Sequence, residues 1–244
     1  MPGTEVRIGC CGYTVSRSKY YRTFTVVEIQ QTFYQLPQLE TAQKWREEAP
    51  PGFEFTMKAW QLITHEPASP TYRRLREPIP ESAKDRYGSF RPTEEVREAW
   101  RRTVEFAAAL GATVIVLQCP ASFRPTEQNV ANLRAFFQAA ASDAFRLAWE
   151  PRGKWPRDLV AELCGELNLI HCVDPLKDEA ISEGPCYYRL HGRTGYRYVH
   201  TEEDFAEVRA KLRPGVVNYV MFNNVQMFDD AQRFAQYLQD KGIP

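Results

Sequence analysis

Four side chains in this sequence, Glu28, Lys58, Arg189 and His191, are of types suited to moving protons and neutralising anions, and each stands in or just after a short apolar run. Carboxylates and imidazoles exchange protons, whereas ammonium and guanidinium groups compensate negative charge on a substrate or transition state. Trp149-Glu150-Pro151-Arg152 places another carboxylate two residues before a guanidinium, and Ile63-Thr64-His65-Glu66 adds a second imidazole. Glu28, Glu150, His191 and His65 are therefore the candidate catalytic groups. Lys58, Arg152, Arg189, Gln118, Asn223, Asn224 and Tyr34 are the candidates for holding substrate or an anion.

Positioning these groups together is a task for the surrounding elements. Short runs rich in β-branched and aromatic residues alternate with longer amphipathic stretches, the pattern of parallel strands joined by crossover helices. The runs are 6–10, 26–29, 53–58, 114–118, 146–150, 169–173, 186–190 and 219–222. Helical stretches fall at 39–48, 93–110, 126–140, 156–167, 202–212 and 227–239. Thr93 and Thr126 suit helix caps, Gly111 a helix stop and Pro156 a first turn. Eight strands in this alternation predict an α/β fold, a (β/α)8 TIM-barrel-like single domain over residues 1–244.

Side chains alternate across a strand, so residue parity separates barrel interior from helix layer. Val27 and Ile29 suit the helix side and turn Glu28 inward; Phe53, Phe55 and Met57 do the same for Thr56 and Lys58. Tyr187, Arg189 and His191 share one parity, and Asp174, Asn223 and Asn224 follow the sixth and eighth runs. Functional groups in such barrels gather at the carboxyl ends of strands. The competing expectation for the set is a buried ion-pair network that closes the barrel mouth.

The 12 Tyr, 14 Phe and 5 Trp among 244 residues supply a continuous core, and 31 basic residues balance 31 acidic ones. Zero net charge provides no global field toward a polyanion. Six cysteines, Cys10, Cys11, Cys119, Cys164, Cys172 and Cys186, lack any C-x-x-C spacing and read as buried reduced thiols. No run has the length or character of a signal peptide or membrane span, so a cytoplasmic protein without a membrane partner is expected. Residues 60–92 form a long insertion or lid segment after the third strand, with five prolines and a basic series from Arg73 to Arg91. Nucleotide-binding G-x-G-x-x-G, Walker, H-E-x-x-H and G-x-S-x-G motifs are absent from the sequence.

Ordered motifs along most of the chain carry a family resemblance. They are Ile8-Gly9-Cys10-Cys11-Gly12-Tyr13, then Val27 to Tyr34 followed by Leu36-Pro37, Trp45, Phe53-Glu54-Phe55, Lys58-Ala59 and Ile63-Thr64-His65. Trp149-Glu150-Pro151-Arg152 with Trp155, Tyr188-Arg189-Leu190-His191-Gly192 and Phe222-Asn223-Asn224 complete the series. This set resembles the domain of unknown function 72, or YecE-like, family. The resemblance implies a TIM barrel and assigns no activity.

Two function classes stay open. One is a hydrolase or lyase acting on a small phosphorylated or otherwise anionic substrate, with Lys58, Arg152 and Arg189 neutralising charge while Glu28, Glu150 or His191 move protons. Glu28, Asp174, Glu150 and His191 are also the groups that could carry a divalent metal for phosphodiester cleavage, although no compact ligand motif appears. The other class is a binding module, with nucleic acid held by the basic 72–91 stretch and by Tyr13, Tyr20, Tyr21 and Tyr34. Acidic neighbours Glu77, Glu81 and Asp85 give that stretch a second interpretation as a solvated loop.

Overall fold

The β-branched and aromatic runs become eight strands, described by a computed structural model covering residues 3–243. They are β1 (Glu5–Cys10), β2 (Val26–Ile29), β3 (Glu54–Lys58), β4 (Ala112–Gln118), β5 (Arg146–Glu150), β6 (Ile170–Val173), β7 (Cys186–Leu190) and β8 (Val217–Phe222). The strands follow one another in sequence order around a closed barrel, with β8 parallel to β1. The third and sixth strands begin one residue later than the sequence pattern suggests, at Glu54 and Ile170.

The longer helices are α3 (Leu39–Glu48), α5 (Glu94–Leu110), α6 (Glu127–Ala140), α7 (Arg157–Glu166), α8 (Glu202–Ala210) and α9 (Met227–Asp240). Local chemistry sets their ends. The Thr93 and Thr126 hydroxyls accept hydrogen bonds from the Val96 and Asn129 amides, and Gly111 stops α5 with a left-handed φ of 67°. Thr201 and Asp204 form a reciprocal capping box on α8. Pro156 is the residue before the first turn of α7 rather than its first helical residue. Three helices of four or five residues, α1 (Arg17–Tyr21), α2 (Gln31–Tyr34) and α4 (Gln61–Thr64), are too short for an apolar period to announce them.

Packing groups the chain into two units. One comprises residues 3–28, Pro50–Glu54 and 170–243; the other comprises Ile29–Ala49 and Phe55–Leu169. In the first, β1 pairs with β2 and β8, and β7 with β6 and β8. In the second, β4 lies between β3 and β5.

Within the first unit, side chains from strands that are not neighbours meet, so they do so across the barrel interior. Tyr219 on β8 donates to Glu54 Oε1 on β3 at 2.7 Å, and Arg7 on β1 bonds the other carboxylate oxygen. The Tyr187 ring of β7 stacks on Tyr219 at 5.2 Å. This layered filling resembles the packed interior of a barrel rather than a pore. All six cysteines are free and buried. Burial pushes the Cys10 and Cys164 thiols up to about 12. No helix among the described residues is long and apolar enough to cross a membrane.

Gly9 on β1 sits where backbones approach closely. A Cβ there would lie 2.4 Å from the Val26 carbonyl oxygen and 3.1 Å from Met221 Cε. Because the nearest obstacle is backbone, Gly9→Ala is expected to destabilise the fold by about 1–3 kcal/mol. Urea denaturation measures this, and an unchanged midpoint would contradict the close approach.

Candidate functional site

In the first unit, β2 and β7 project Glu28 and Arg189 toward each other. Both are 0% exposed. Arg189 Nη2 lies 3.0 Å from Glu28 Oε1, and Arg189 Nε donates to Oε2 at 3.1 Å, giving a two-pronged pair. Tyr187 Oη donates to the same Oε2 at 2.9 Å. Charges taken this far from water persist only when paired and hydrogen-bonded. The Cys11 thiol lies against this pair, and its pKa is raised well above the ordinary thiol value, first by burial and then by the Glu28 charge.

At the end of β7 the His191 amide donates to Asp174 Oδ2 at 3.1 Å, and the ring Nδ1 is 3.5 Å from the same oxygen. Leu176 N donates to Asp174 Oδ1 at 3.1 Å. Burial raises the Asp174 pKa, but the hydrogen bonds from His191 and the Leu176 amide outweigh it and hold the carboxyl below its ordinary value. The partly exposed His191 ring is thereby oriented by a carboxylate.

The two asparagines differ. Asn223 is partly exposed after β8. Asn224 is wholly buried, and its amide donates to the Tyr198 carbonyl and to Asp230 Oδ2, both at 2.7 Å. Asp230 also accepts from His200 Nδ1 at 2.9 Å. Sequence reasoning passed over this His200–Asp230 pair. Its signal is a carboxylate standing beside the apolar positions Met227, Ala231 and Phe234 of α9, where an unpaired charge could not remain.

In the second unit, Lys58, Gln118 and Glu150 end three adjacent strands. Lys58 pairs in register with Val116, and Gln118 with Glu150, so the three share one parity. The Lys58 ammonium lies 3.7 Å from the centroid of the Phe33 ring, a cation–π contact. Arg152 Nε reaches Glu150 Oε1 at 2.7 Å while its side chain stays 39% exposed. His65 follows α4, with Nδ1 2.8 Å from the Thr64 hydroxyl and its ring edge-on to Phe33 at 4.8 Å. Its pKa falls to about 3, first through burial and then through the Lys58 and Arg152 charges, against which Glu150 acts in the opposite direction. The imidazole is therefore neutral throughout the ordinary pH range.

The chain beyond α4 holds His65 in place. Tyr72 Oη donates to the His65 carbonyl at 2.7 Å, and Gly88, at φ 76°, approaches so closely that a Cβ would come within 2.2 Å of that oxygen. Ser89 and Phe90 continue in the left-handed region at φ 52°, and Phe90 is buried against Phe123, Phe136 and Phe137. Between these anchors residues 70–74 and 81–86 form two 3-10 turns. Several bases of this segment have partners: Lys84 meets Glu81, Arg86 meets Glu95, and Arg91 meets Glu66. Arg74 covers the Tyr34 ring at 3.6 Å. In the first unit Tyr20, an expected stacking aromatic, is wholly buried and donates to the Val26 carbonyl at 2.9 Å, so its ring is not offered to a nucleic acid base.

Among the described residues no group of three or more His, Cys, Asp or Glu side chains stands where it could hold a metal ion. The expected donors have other partners: Glu28 bonds Arg189, Asp174 bonds His191, and Glu150 bonds Arg152.

Residues 11–243 match the family model described as protein of unknown function DUF72. The chain belongs to the DUF72 family. It is similar to a DUF72 protein of Enterococcus faecalis, with a TM-score of 0.72, 18% identity and 100% of each chain covered. A DUF72 protein of Thermotoga maritima gives a TM-score of 0.67 at 20% identity, covering 96% of this chain and 99% of that one. Endonuclease IV of Thermus thermophilus shares the barrel at a TM-score of 0.58 and 14% identity, covering 96% of this chain and 99% of that one. No curated protein matches the DUF72 chain.

Two measurements check this geometry. Arg189→Met strands Glu28 as an uncompensated buried charge and should cost about 3–5 kcal/mol in urea denaturation. Adding Glu28→Gln to it should recover part of that loss, and a double variant as unstable as the sum would contradict the pair. The His65 shift also fixes the sign of a pH effect. Unfolded chains take up a proton near 6.5, whereas the folded ring does not until about 3. Its contribution is complete above 6.5, and stability falls by about 1.4 kcal/mol per pH unit as pH drops through that window. His65→Gln should flatten this part of the stability profile, and parallel profiles would refute the depressed pKa.

Proposed function

We propose that the chain is an enzyme, a hydrolase or lyase, that takes a small phosphorylated or otherwise anionic substrate at the ends of β3, β4 and β5. The geometry that supports this reading is the convergence of Lys58, Gln118 and Glu150, which end three adjacent strands with one parity, with Arg152 bonded to Glu150. Lys58 and Arg152 both lower the pKa of the buried His65, and Glu150 acts in the opposite direction. Cations at strand ends draw an anion, and the half-exposed Arg152 guanidinium can donate to a substrate oxygen while its Nε holds Glu150. Gln118 offers an amide to the same anion, and neutral His65 offers a hydrogen bond without adding charge. Glu150, held by Arg152, is the proton-transfer group of this arrangement.

Calorimetric titration with inorganic phosphate tests the binding half of the proposal. Lys58→Met and Arg152→Met should each weaken it at least about tenfold, consistent with loss of a charge-assisted contact. Lys58→Met should also raise the His65 pKa, read from the ring C2–H resonance by NMR. In a screen of phosphomonoesters, Glu150→Gln should keep phosphate affinity and lose turnover by about 100-fold or more. Phosphate affinity indifferent to both cation substitutions would overturn the anion site.

A further inference from the structure

The long segment after α4 treats its basic residues in two ways. Lys84, Arg86 and Arg91 each meet a glutamate that neutralises them. Among the described residues, by contrast, no carboxylate lies within salt-bridge distance of Arg73, Arg74 or Arg76. The stretch 70–80 that carries these three holds one acidic residue, Glu77.

Arg74 is the oriented member of the three. Its guanidinium lies over the Tyr34 ring at 3.6 Å, and its side chain is exposed, with no hydrogen-bond acceptor among the described residues. A guanidinium seated on a ring is held through its face and keeps its N–H donors for another acceptor.

The backbone beneath Arg74 is tied to residues of the strand-end site. Gln61 Nε2 donates to the Tyr34 carbonyl at 2.8 Å and to the Thr71 carbonyl at 3.4 Å, and Tyr72 Oη donates to the His65 carbonyl. The rings join the same groups: Tyr34 lies edge-on to Phe33 at 5.0 Å, and Phe33 carries the Lys58 ammonium and meets His65. Laid end to end, the distances of 3.6, 5.0 and 3.7 Å place Arg74 Cζ no more than about 12 Å from Lys58 Nζ. Opposite ends of one small molecule can reach two cations at that separation.

We propose, resting on the strand-end anion reading, that Arg74 is the second anion contact of that site and that the substrate is a small molecule with an oxyanion at each end. One oxyanion meets Lys58 and Arg152; the other, a phosphate or a carboxylate, meets Arg74. Holding both ends raises affinity because the second contact forms within a complex already made.

The probes are 1,6-hexanediol bisphosphate and 6-phosphonooxyhexanoate, titrated calorimetrically into the full chain beside hexyl phosphate, which has the same carbon chain and one charged end. At least one two-ended probe should bind about tenfold or more tightly than hexyl phosphate, and the stronger of them identifies the second group as phosphate or carboxylate. Arg74→Met should remove that advantage and leave hexyl phosphate affinity unchanged, with Arg74→Gln reporting the same loss if the methionine variant fails to fold by circular dichroism. Lys84→Met, which deletes a charge already met by Glu81, should leave all three affinities unchanged. Lys58→Met should weaken all three. No advantage for either two-ended probe, or an advantage that survives Arg74→Met, would overturn the second contact and leave the strand-end site standing. Three affinities unmoved by Lys58→Met would overturn the strand-end reading and this inference with it. A short oligothymidylate that binds more tightly than both probes through Arg74 would assign the arginine to nucleic acid and so overturn the small substrate.

Discussion

The interior pairing of Glu28 with Arg189 is the constraint on which much of the first unit depends. A carboxylate and a guanidinium with no exposure to water are tolerable only with both prongs made and the remaining lone pairs occupied. Tyr187 meets that need from the same strand as Arg189. The Tyr187 ring then stacks on Tyr219, whose hydroxyl bonds Glu54 in the layer beneath. Four strands are thereby tied together by directional contacts, which fix side-chain register more tightly than apolar contact alone. Gly9 leaves the space that lets β1 and β2 approach beside this column.

The charges of the second unit follow another logic. Glu150 is buried, but its partner Arg152 reaches solvent, and the Lys58 ammonium lies over the Phe33 ring. Backbone strain supports the arrangement. Gly88, Ser89 and Phe90 occupy the left-handed region in succession, and the cost for Ser89 and Phe90 is offset where Phe90 packs among three other phenylalanines.

The fold was legible because its signals are local and repeated. Short apolar runs, threonine caps and a glycine stop place strands and helices to within a few residues, and parity turns Glu28 and Arg189 into one interior. Partner choice was not legible. Periodicity cannot say that Glu28 reaches past its neighbouring strand to Arg189 on β7, or that Lys58 settles over Phe33, because those pairings depend on strand tilt and rotamer. The single turns at 31–34 and 61–64 escaped for a related reason: four residues span scarcely more than one helical period. His200 and Asp230 were harder to see, since neither stands at a strand end and the apolar neighbours of Asp230 on α9 are the local sign of its burial.

The six buried thiols have a consequence for how this barrel can be watched. Sulfur reacts as thiolate, and burial raises Cys10, Cys11, Cys119 and Cys164 away from that form. A thiol-directed reagent added to the native chain therefore finds its targets only during excursions that open the packing. With Cys10 and Cys11 at the end of β1, Cys119 just past β4, Cys164 in α7, Cys172 in β6 and Cys186 in β7, the sulfurs are spread around the sheet and its helix layer. The order in which they become alkylated is a native record of which part of the barrel breathes first.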